Sequence, residues 1–96
     1  MLLDEITQEK ERILSLARRY GARRIRIFGS VARGEDRTES DIDFLVDFPK
    51  GYDLFLQRIP LTEQLRLLLK RPIDLVPEHE LNPYIRKKVL TEAIDL

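Results

Sequence analysis

The chain has 96 residues, and its 17 basic and 17 acidic side chains leave no net charge, so we expect one small domain over residues 1–96. This balance argues against attraction to nucleic acid or to an anionic membrane by an overall field. The sequence holds no cysteine, which excludes disulfides and thiolate metal sites. It also shows no signal-peptide core and no apolar run of membrane-spanning length, so we expect a cytoplasmic protein.

Apolar residues in the first 20 positions recur at helical spacing and predict one amphipathic helix. Gly21 follows as a typical residue just beyond a helix end. Residues 24–28 alternate in polarity and predict the first strand, and a short helix is expected from about Ser30. The apolar face of the first helix comprises Ile6, Ile13, Ala17 and Tyr20.

Residues 35–40 form a polar connection, and residues 41–48 predict the second strand. Residues 49–51 combine proline and glycine and end it. Asp53 is a candidate cap for a following leucine-rich helix. Pro60 lies inside that apolar stretch, where it removes a backbone donor, so we expect a kink or a second helix starting near this residue.

Residues 72–77 predict the third strand, and Asn82 with Pro83 predicts the start of a last helix. His79 lies in a polar loop and is interpreted as a surface residue. These elements predict an α+β fold in which helices pack on a small mixed β-sheet. The apolar face of the last helix is expected to include Ile85, Val89, Ala93 and Ile94.

The turn after the first predicted strand has the composition of a phosphate-binding loop. Gly29 lets a phosphate approach the backbone without a Cβ in the way, and Ser30 offers a hydroxyl donor. Amides at the start of the following helix also favour an anion. Arg33 is a candidate phosphate contact because a helix places it near the face of Ser30, although surface solvation is the alternative. Further arginines, interpreted as a basic rim or as solvated side chains, are Arg24, Arg26 and Arg37.

Two aspartates one residue apart begin the second predicted strand, and ten residues separate Ser30 from Asp41. Because side chains on a strand alternate, Asp41 and Asp43 share one face. Ile42 and Phe44 anchor the opposite face in a core. Adjacent carboxylates repel unless a cation lies between them, and Mg²⁺ with substrate phosphates is the usual occupant of such an oxygen-rich site. The pattern therefore predicts Asp41 and Asp43 as metal ligands.

A third acidic residue, Asp74, lies between Ile73 and Leu75 in the third predicted strand. A lone carboxylate buried in an apolar strand is costly unless it is paired or bound to a metal. The alternative is a surface aspartate on an edge strand.

The Gly-Ser turn, the Asp-x-Asp strand and the later strand with Asp74, in this order and spacing, resemble the nucleotidyltransferase superfamily that includes DNA polymerase β and kanamycin nucleotidyltransferase. Within this superfamily, the chain resembles the minimal nucleotidyltransferases, single small domains often encoded beside a HEPN-domain partner. The resemblance implies the polymerase-β-like fold, Mg²⁺ as cofactor and ATP as substrate. It also implies that Asp41, Asp43 and Asp74 are the catalytic and metal-binding residues, with Asp74 near the acceptor oxygen as metal ligand or base.

The resemblance further implies an antitoxin that transfers AMP to a tyrosine of a HEPN-domain ribonuclease toxin. Two alternatives are a binding module that neutralises such a toxin by contact alone, and an enzyme that modifies a small molecule such as an aminoglycoside. The latter would be served by a pocket between the subunits of a homodimer. The intact carboxylates favour an enzyme, because contact alone does not need Asp41, Asp43 and Asp74 together.

Overall fold

The protein folds around one mixed β-sheet, described over residues 2–96 by a computed structural model. Its strands are β1 (Ile25–Phe28), β2 (Ile42–Val46), β3 (Ile73–Pro77) and β4 (Ile94–Asp95). They lie in the order β3-β2-β1-β4. β1 is antiparallel to both β2 and β4, whereas β2 and β3 are parallel. The predicted α+β architecture with a small mixed sheet is confirmed.

Helices connect and cover these strands. The α-helices are α1 (Leu2–Gln8), α2 (Lys10–Arg19), α3 (Gly29–Arg33), α4 (Ile59–Leu69) and α5 (Pro83–Glu92). A π-helical segment (Leu54–Arg58) leads into α4, and a 3₁₀ turn (Glu78–Glu80) follows β3. Within residues 2–96, none of the helices is long and apolar enough to cross a membrane.

The first helical segment is interrupted, so the prediction of one continuous helix is wrong. Glu9 separates α1 from α2 with φ −97° and ψ 13°, and its amide donates to the carbonyl of Ile6, three residues back, at 3.0 Å. The hydroxyl of Thr7 donates to the carbonyl of Leu3 at 2.7 Å, a back-bond that bends helices. Ile6 and Ile13 are both fully buried, so the bend keeps the apolar face on the core.

The end of α2 follows the predicted capping. Gly21 has φ +84°, a left-handed conformation that favours glycine. The amides of Gly21 and Ala22 donate to the carbonyls of Arg18 and Ala17 at 3.1 and 2.8 Å. This pair of bonds is the Schellman arrangement, and it turns the chain directly into β1.

Side-chain caps also begin the helical segments before and after β3. Asp53 accepts from the amides of Phe55 and Leu56, both at 2.9 Å. Pro60 is the second residue of α4, so the predicted start of a helix near this proline is confirmed. Asn82 accepts from the amide two residues ahead at 2.8 Å, which confirms the predicted start of α5.

The two faces of the sheet pack differently. Strand alternation places Ile27, Phe44 and Leu75 on one face, and these residues are buried in a core shared with α1, α2, α3 and α4. On the other face, Leu45 packs with Val89 of α5. Strand alternation places Asp43 on this second face with Leu45, at the start of β2 and outside the small apolar cluster.

The last helix is shorter than predicted, because Ala93 and Ile94 do not extend its apolar face. Ala93 has extended backbone, with φ −63° and ψ 138°, and Ile94 pairs with Ile27 as part of β4. The guanidinium of Arg24 donates to both carboxylate oxygens of Asp95 at 2.8 and 2.6 Å. A strand of two residues forms by pairing with β1, and its sequence is too short to show strand periodicity.

Arg26 is buried, so its interpretation as a rim or solvated arginine is wrong. Its exposed fraction is 7%, and its guanidinium pairs with the carboxylate of Glu78. Alternation along β1 predicted that side chains on the face opposite Ile25 and Ile27 would be exposed to solvent. In the structure, α5 and the turn after β3 lie near that face. The cation is therefore enclosed and needs its carboxylate partner.

Candidate active site

Three aspartates approach one another at the uncovered end of the sheet. The parallel register of β2 and β3 places Asp43 directly beside Asp74, and Asp41 lies just before β2. Asp41 and Asp74 are exposed, whereas Asp43 is partly buried. The expectation of a buried Asp74 is wrong, because β3 is an edge strand and this residue faces solvent. The sheet nevertheless brings together the carboxylates on which the sequence prediction depends.

The electrostatic environment of Asp43 disfavours its ionised form. Burial, followed by the negative charges of Asp74 and Asp41, raises the pKa of Asp43 to about 6. Arg33 acts in the opposite direction. A bound cation would relieve both the desolvation and the repulsion, since it replaces lost water and adds opposite charge. This part of the protein is therefore suited to a cation.

The donors fit a hard divalent cation, although they do not form a closed cage. Within residues 2–96, no three His, Cys, Asp or Glu side chains are arranged to hold a metal ion by themselves. Mg²⁺ does not need such a cage, because it keeps several waters and binds through one or two carboxylates together with substrate phosphates. An all-oxygen, anionic donor set also matches Mg²⁺ better than a metal that prefers thiolate or imidazole.

The glycine that begins α3 is pressed against the acidic strand. Gly29 has φ +74°, and a Cβ added to it would lie 2.0 Å from Oδ2 of Asp43. Both the backbone conformation and the contact therefore require glycine. Ser30 follows and is partly exposed, while Val31 is fully buried and anchors α3 in the core. The predicted phosphate-binding turn thus lies beside Asp43.

Arg33 is held by two carboxylates. Its Nε donates to Glu35 at 2.7 Å, and its Nη1 lies 3.1 Å from each carboxylate oxygen of Glu92. Hydrogen bonds to Glu35 and Glu92 raise the pKa of the Arg33 guanidinium. Oε2 of Glu92 also accepts from the amide of Gly29 at 2.7 Å. One carboxylate therefore joins the Gly-Ser turn to the arginine at the end of α3.

Sequence reasoning missed Glu92. It lies 63 residues after Gly29, at the end of a helix whose charged residues follow no distinctive pattern. Only the packing of α5 against the sheet brings it to the turn, so no local signal could have marked it.

A groove beside Asp74 reaches Ile59, one of three exposed apolar residues that are close together in the sequence. It encloses about 290 Å³ between α4 and β3, and Asp74 and Ile59 are among its lining residues. Phe55, Leu56 and Ile59 are 76%, 71% and 48% exposed, and we call these three residues the apolar patch. A larger groove, of about 570 Å³ between α2 and α4, is lined by none of the predicted site residues.

His79 contacts neighbours in the segments around the 3₁₀ turn. Its ring meets the ring of Tyr52 edge-on, with centroids 5.9 Å apart, and its Nε2 lies 3.7 Å from the carboxylate of Glu80. The residue is exposed, which agrees with its interpretation as a surface residue.

The chain is similar to known proteins over nearly its whole length. The family model of the nucleotidyltransferase domain matches residues 9–96. Protein adenylyltransferase MntA of Thermococcus cleftensis is 44% identical over 79 residues, which cover 82% of this chain and 79% of that protein. A solved structure provisionally described as a minimal nucleotidyltransferase has a TM-score of 0.87 and 46% identity, covering 100% of this chain and 97% of that one. A toxin–antitoxin crystal structure with AMP-PNP has a TM-score of 0.75 and 26% identity, covering 90% and 70%.

Proposed function

Because this chain belongs to the nucleotidyltransferase domain family and is a nucleotidyltransferase, we propose that it transfers AMP from ATP to a protein hydroxyl, with a tyrosine of a HEPN-domain toxin as acceptor. The feature that carries this proposal is the convergence of Asp41, Asp43 and Asp74 beside the Gly29 turn. A protein adenylyltransferase among the relatives and a toxin–antitoxin structure among the neighbours support the choice of acceptor.

The proposed chemistry is an in-line displacement at the α-phosphorus of ATP. The acceptor oxygen forms a bond to this phosphorus while the bond to the bridging oxygen breaks, and pyrophosphate leaves with the electron pair. Mg²⁺ held by Asp41, Asp43 and Asp74 would supply charge neutralisation at the phosphates.

Residues of the chain itself bind the triphosphate and accept the proton of the acceptor. Ser30 donates its hydroxyl to the triphosphate, and the bare Cα of Gly29 lets the phosphates approach the turn. Asp74 is exposed at the edge of the sheet and borders the open groove. It is therefore the carboxylate placed to accept the proton of an incoming hydroxyl.

The surroundings of Asp74 favour a macromolecular acceptor. Asp74 and Ile59 line the same groove, which places one residue of the apolar patch at the border of the site. Large exposed apolar residues grouped in this way are typical of protein contacts. A chain without net charge is a poor match for nucleic acid, where phosphate contacts dominate affinity. We therefore assign the apolar patch to docking of the toxin that carries the acceptor tyrosine.

Co-expression with the HEPN partner and intact-mass measurement of that partner test the proposal. We expect one added adenylyl group with the unaltered protein, and a loss of transfer of roughly 100-fold or more with Asp41→Asn, Asp43→Asn. Asp47→Asn is the matched control, because Asp47 lies on the same chain segment but pairs with Arg23 at 3.2 Å. A partner that stays unmodified and is still fully inhibited would support neutralisation by contact alone.

A further inference from the structure

Glu92 joins two parts of the site that are far apart in sequence. We propose that Glu92 is a positioning residue, which holds the Gly29–Ser30 turn and Arg33 in the arrangement that binds the nucleotide. This inference rests on the proposed function, since it concerns the nucleotide of the same reaction.

The contacts of Glu92 are directed to functional groups on one turn. Its carboxylate accepts from the Gly29 amide at 2.7 Å and from Arg33 Nη1 at 3.1 Å. The side chain is 15% exposed, and it extends from a helix whose Val89 is buried against the sheet. Glu92 therefore extends from a helix that is packed against the sheet, and this packing holds its carboxylate in place.

Without hydrogen bonds from the Gly29 amide and the Arg33 guanidinium, the negative charge of Glu92 would be destabilising at this position. The carboxylate is hydrogen-bonded to Gly29, which lies against the carboxylate of Asp43, so Glu92 is close to the acidic cluster. Charge-assisted hydrogen bonds from an amide and a guanidinium offset the repulsion between these negative charges. Displacement of Glu92 by a phosphate would break these bonds and leave the carboxylate unpaired beside Asp43. Glu92 therefore stays in place when nucleotide binds.

This arrangement changes the role expected for Arg33. The amide of Gly29 and the Nη1 of Arg33 already have a carboxylate acceptor, so they support the turn, and Ser30 with the following amides is left for the triphosphate. Arg33 then acts through the position of the turn and through its charge near Asp43.

The test measures binding of AMP-PNP with Mg²⁺ by calorimetry, together with the thermal midpoint of each variant. Glu92→Ala should weaken binding about tenfold, as expected for loss of a charge-assisted hydrogen bond. Glu92→Gln should recover part of the loss, because its amide oxygen still accepts from Gly29. Glu35→Gln is the matched control, since Glu35 also accepts from Arg33 but is 64% exposed, and it should change binding less than twofold.

The other outcomes overturn the inference. Tighter binding by Glu92→Gln would identify Glu92 as a carboxylate that competes with phosphate. Unchanged affinity with a lowered thermal midpoint would make its role purely structural, and Glu92→Gln provides this comparison if Glu92→Ala does not fold. Absence of AMP-PNP binding by the unaltered protein would overturn both the proposed function and the role of Glu92. The outcomes for the Glu92 variants, in contrast, overturn only the role of Glu92.

Discussion

Gly29 is where backbone conformation and site chemistry meet most closely. Its φ of +74° favours glycine, and its Cα faces the carboxylate of Asp43. The chain also provides a matched comparison, because Gly51 has φ +82° with nothing within 4 Å of an added Cβ. Both glycines have a left-handed backbone conformation, but only Gly29 also lacks the space for a Cβ.

Alanine substitution should separate these two requirements. We expect Gly51→Ala to lower the free energy of unfolding by about 1 kcal/mol, the cost of a left-handed alanine. Gly29→Ala should cost about 3 kcal/mol, because its Cβ also forces Asp43 to move. Urea denaturation measures both values, and adding Asp43→Ala to Gly29→Ala should restore part of the loss. Equal losses for the two single variants would contradict a close contact with Asp43.

The raised pKa of Asp43 predicts a pH-dependent stability in the absence of metal. Its folded-state pKa of about 6 exceeds the ordinary value of 3.8, so the folded protein holds this proton more tightly than the unfolded chain does. The associated stability is present below about pH 4 and is lost as the pH rises through about 6.

Asp43→Asn should remove this dependence. In chelator at pH 8, we expect the variant to exceed the unaltered protein by about 1 kcal/mol in unfolding free energy, after allowance for solvent screening. At pH 4 the two should be equally stable. Thermal unfolding across this range provides the measurement, and a variant that is less stable at pH 8 would show that the ionised carboxylate is stabilising.

At the scale of elements, Asp53 defines the start of the helical segment after β2. It accepts from the amides of Phe55 and Leu56, so Asp53→Ala should lower the free energy of unfolding by about 1 kcal/mol. Asp53→Asn should retain most of this stability, because an amide oxygen also caps. Chemical denaturation of both variants checks the expectation. Equal losses would assign the effect to charge and not to the hydrogen bonds.

Features that depend on interactions between residues close together in the sequence were predicted correctly, whereas features that depend on distant contacts were missed. Gly21, Asp53 and Pro60 act within a few residues, and their effects were predictable from the chain alone. Asp43 of β2 and Asp41 just before it were likewise marked by the alternation of the sequence. Ile94 and Glu92, in contrast, take their roles from contacts with Ile27 and Gly29 across the fold, which no local pattern reveals.

At the scale of the whole molecule, the apolar patch beside the groove should decide partner binding. Phe55→Ser should weaken capture of the HEPN partner about tenfold or more, in the range of an aromatic interface residue, while AMP-PNP binding stays unchanged. Tyr84→Ser is the matched control, because Tyr84 is an aromatic residue that is 97% exposed but lies on α5, outside the apolar patch. Affinity measurements on the purified pair give the answer. Equal effects of the two variants would exclude the patch as the docking surface.

The pairing of β2 with β3 ties the chemistry of the protein to its stability. The register that places Asp74 beside Asp43 also places the buried Leu75 beside Phe44. A shift of β3 by one residue would exchange these faces, so a single-residue insertion in this strand removes the acidic pair and the core contact together. We expect such a chain to lose its fold together with its acidic site, because both depend on the same strand register. We accordingly expect insertions to be tolerated better in the connections, such as residues 35–40 between α3 and β2, than within β3.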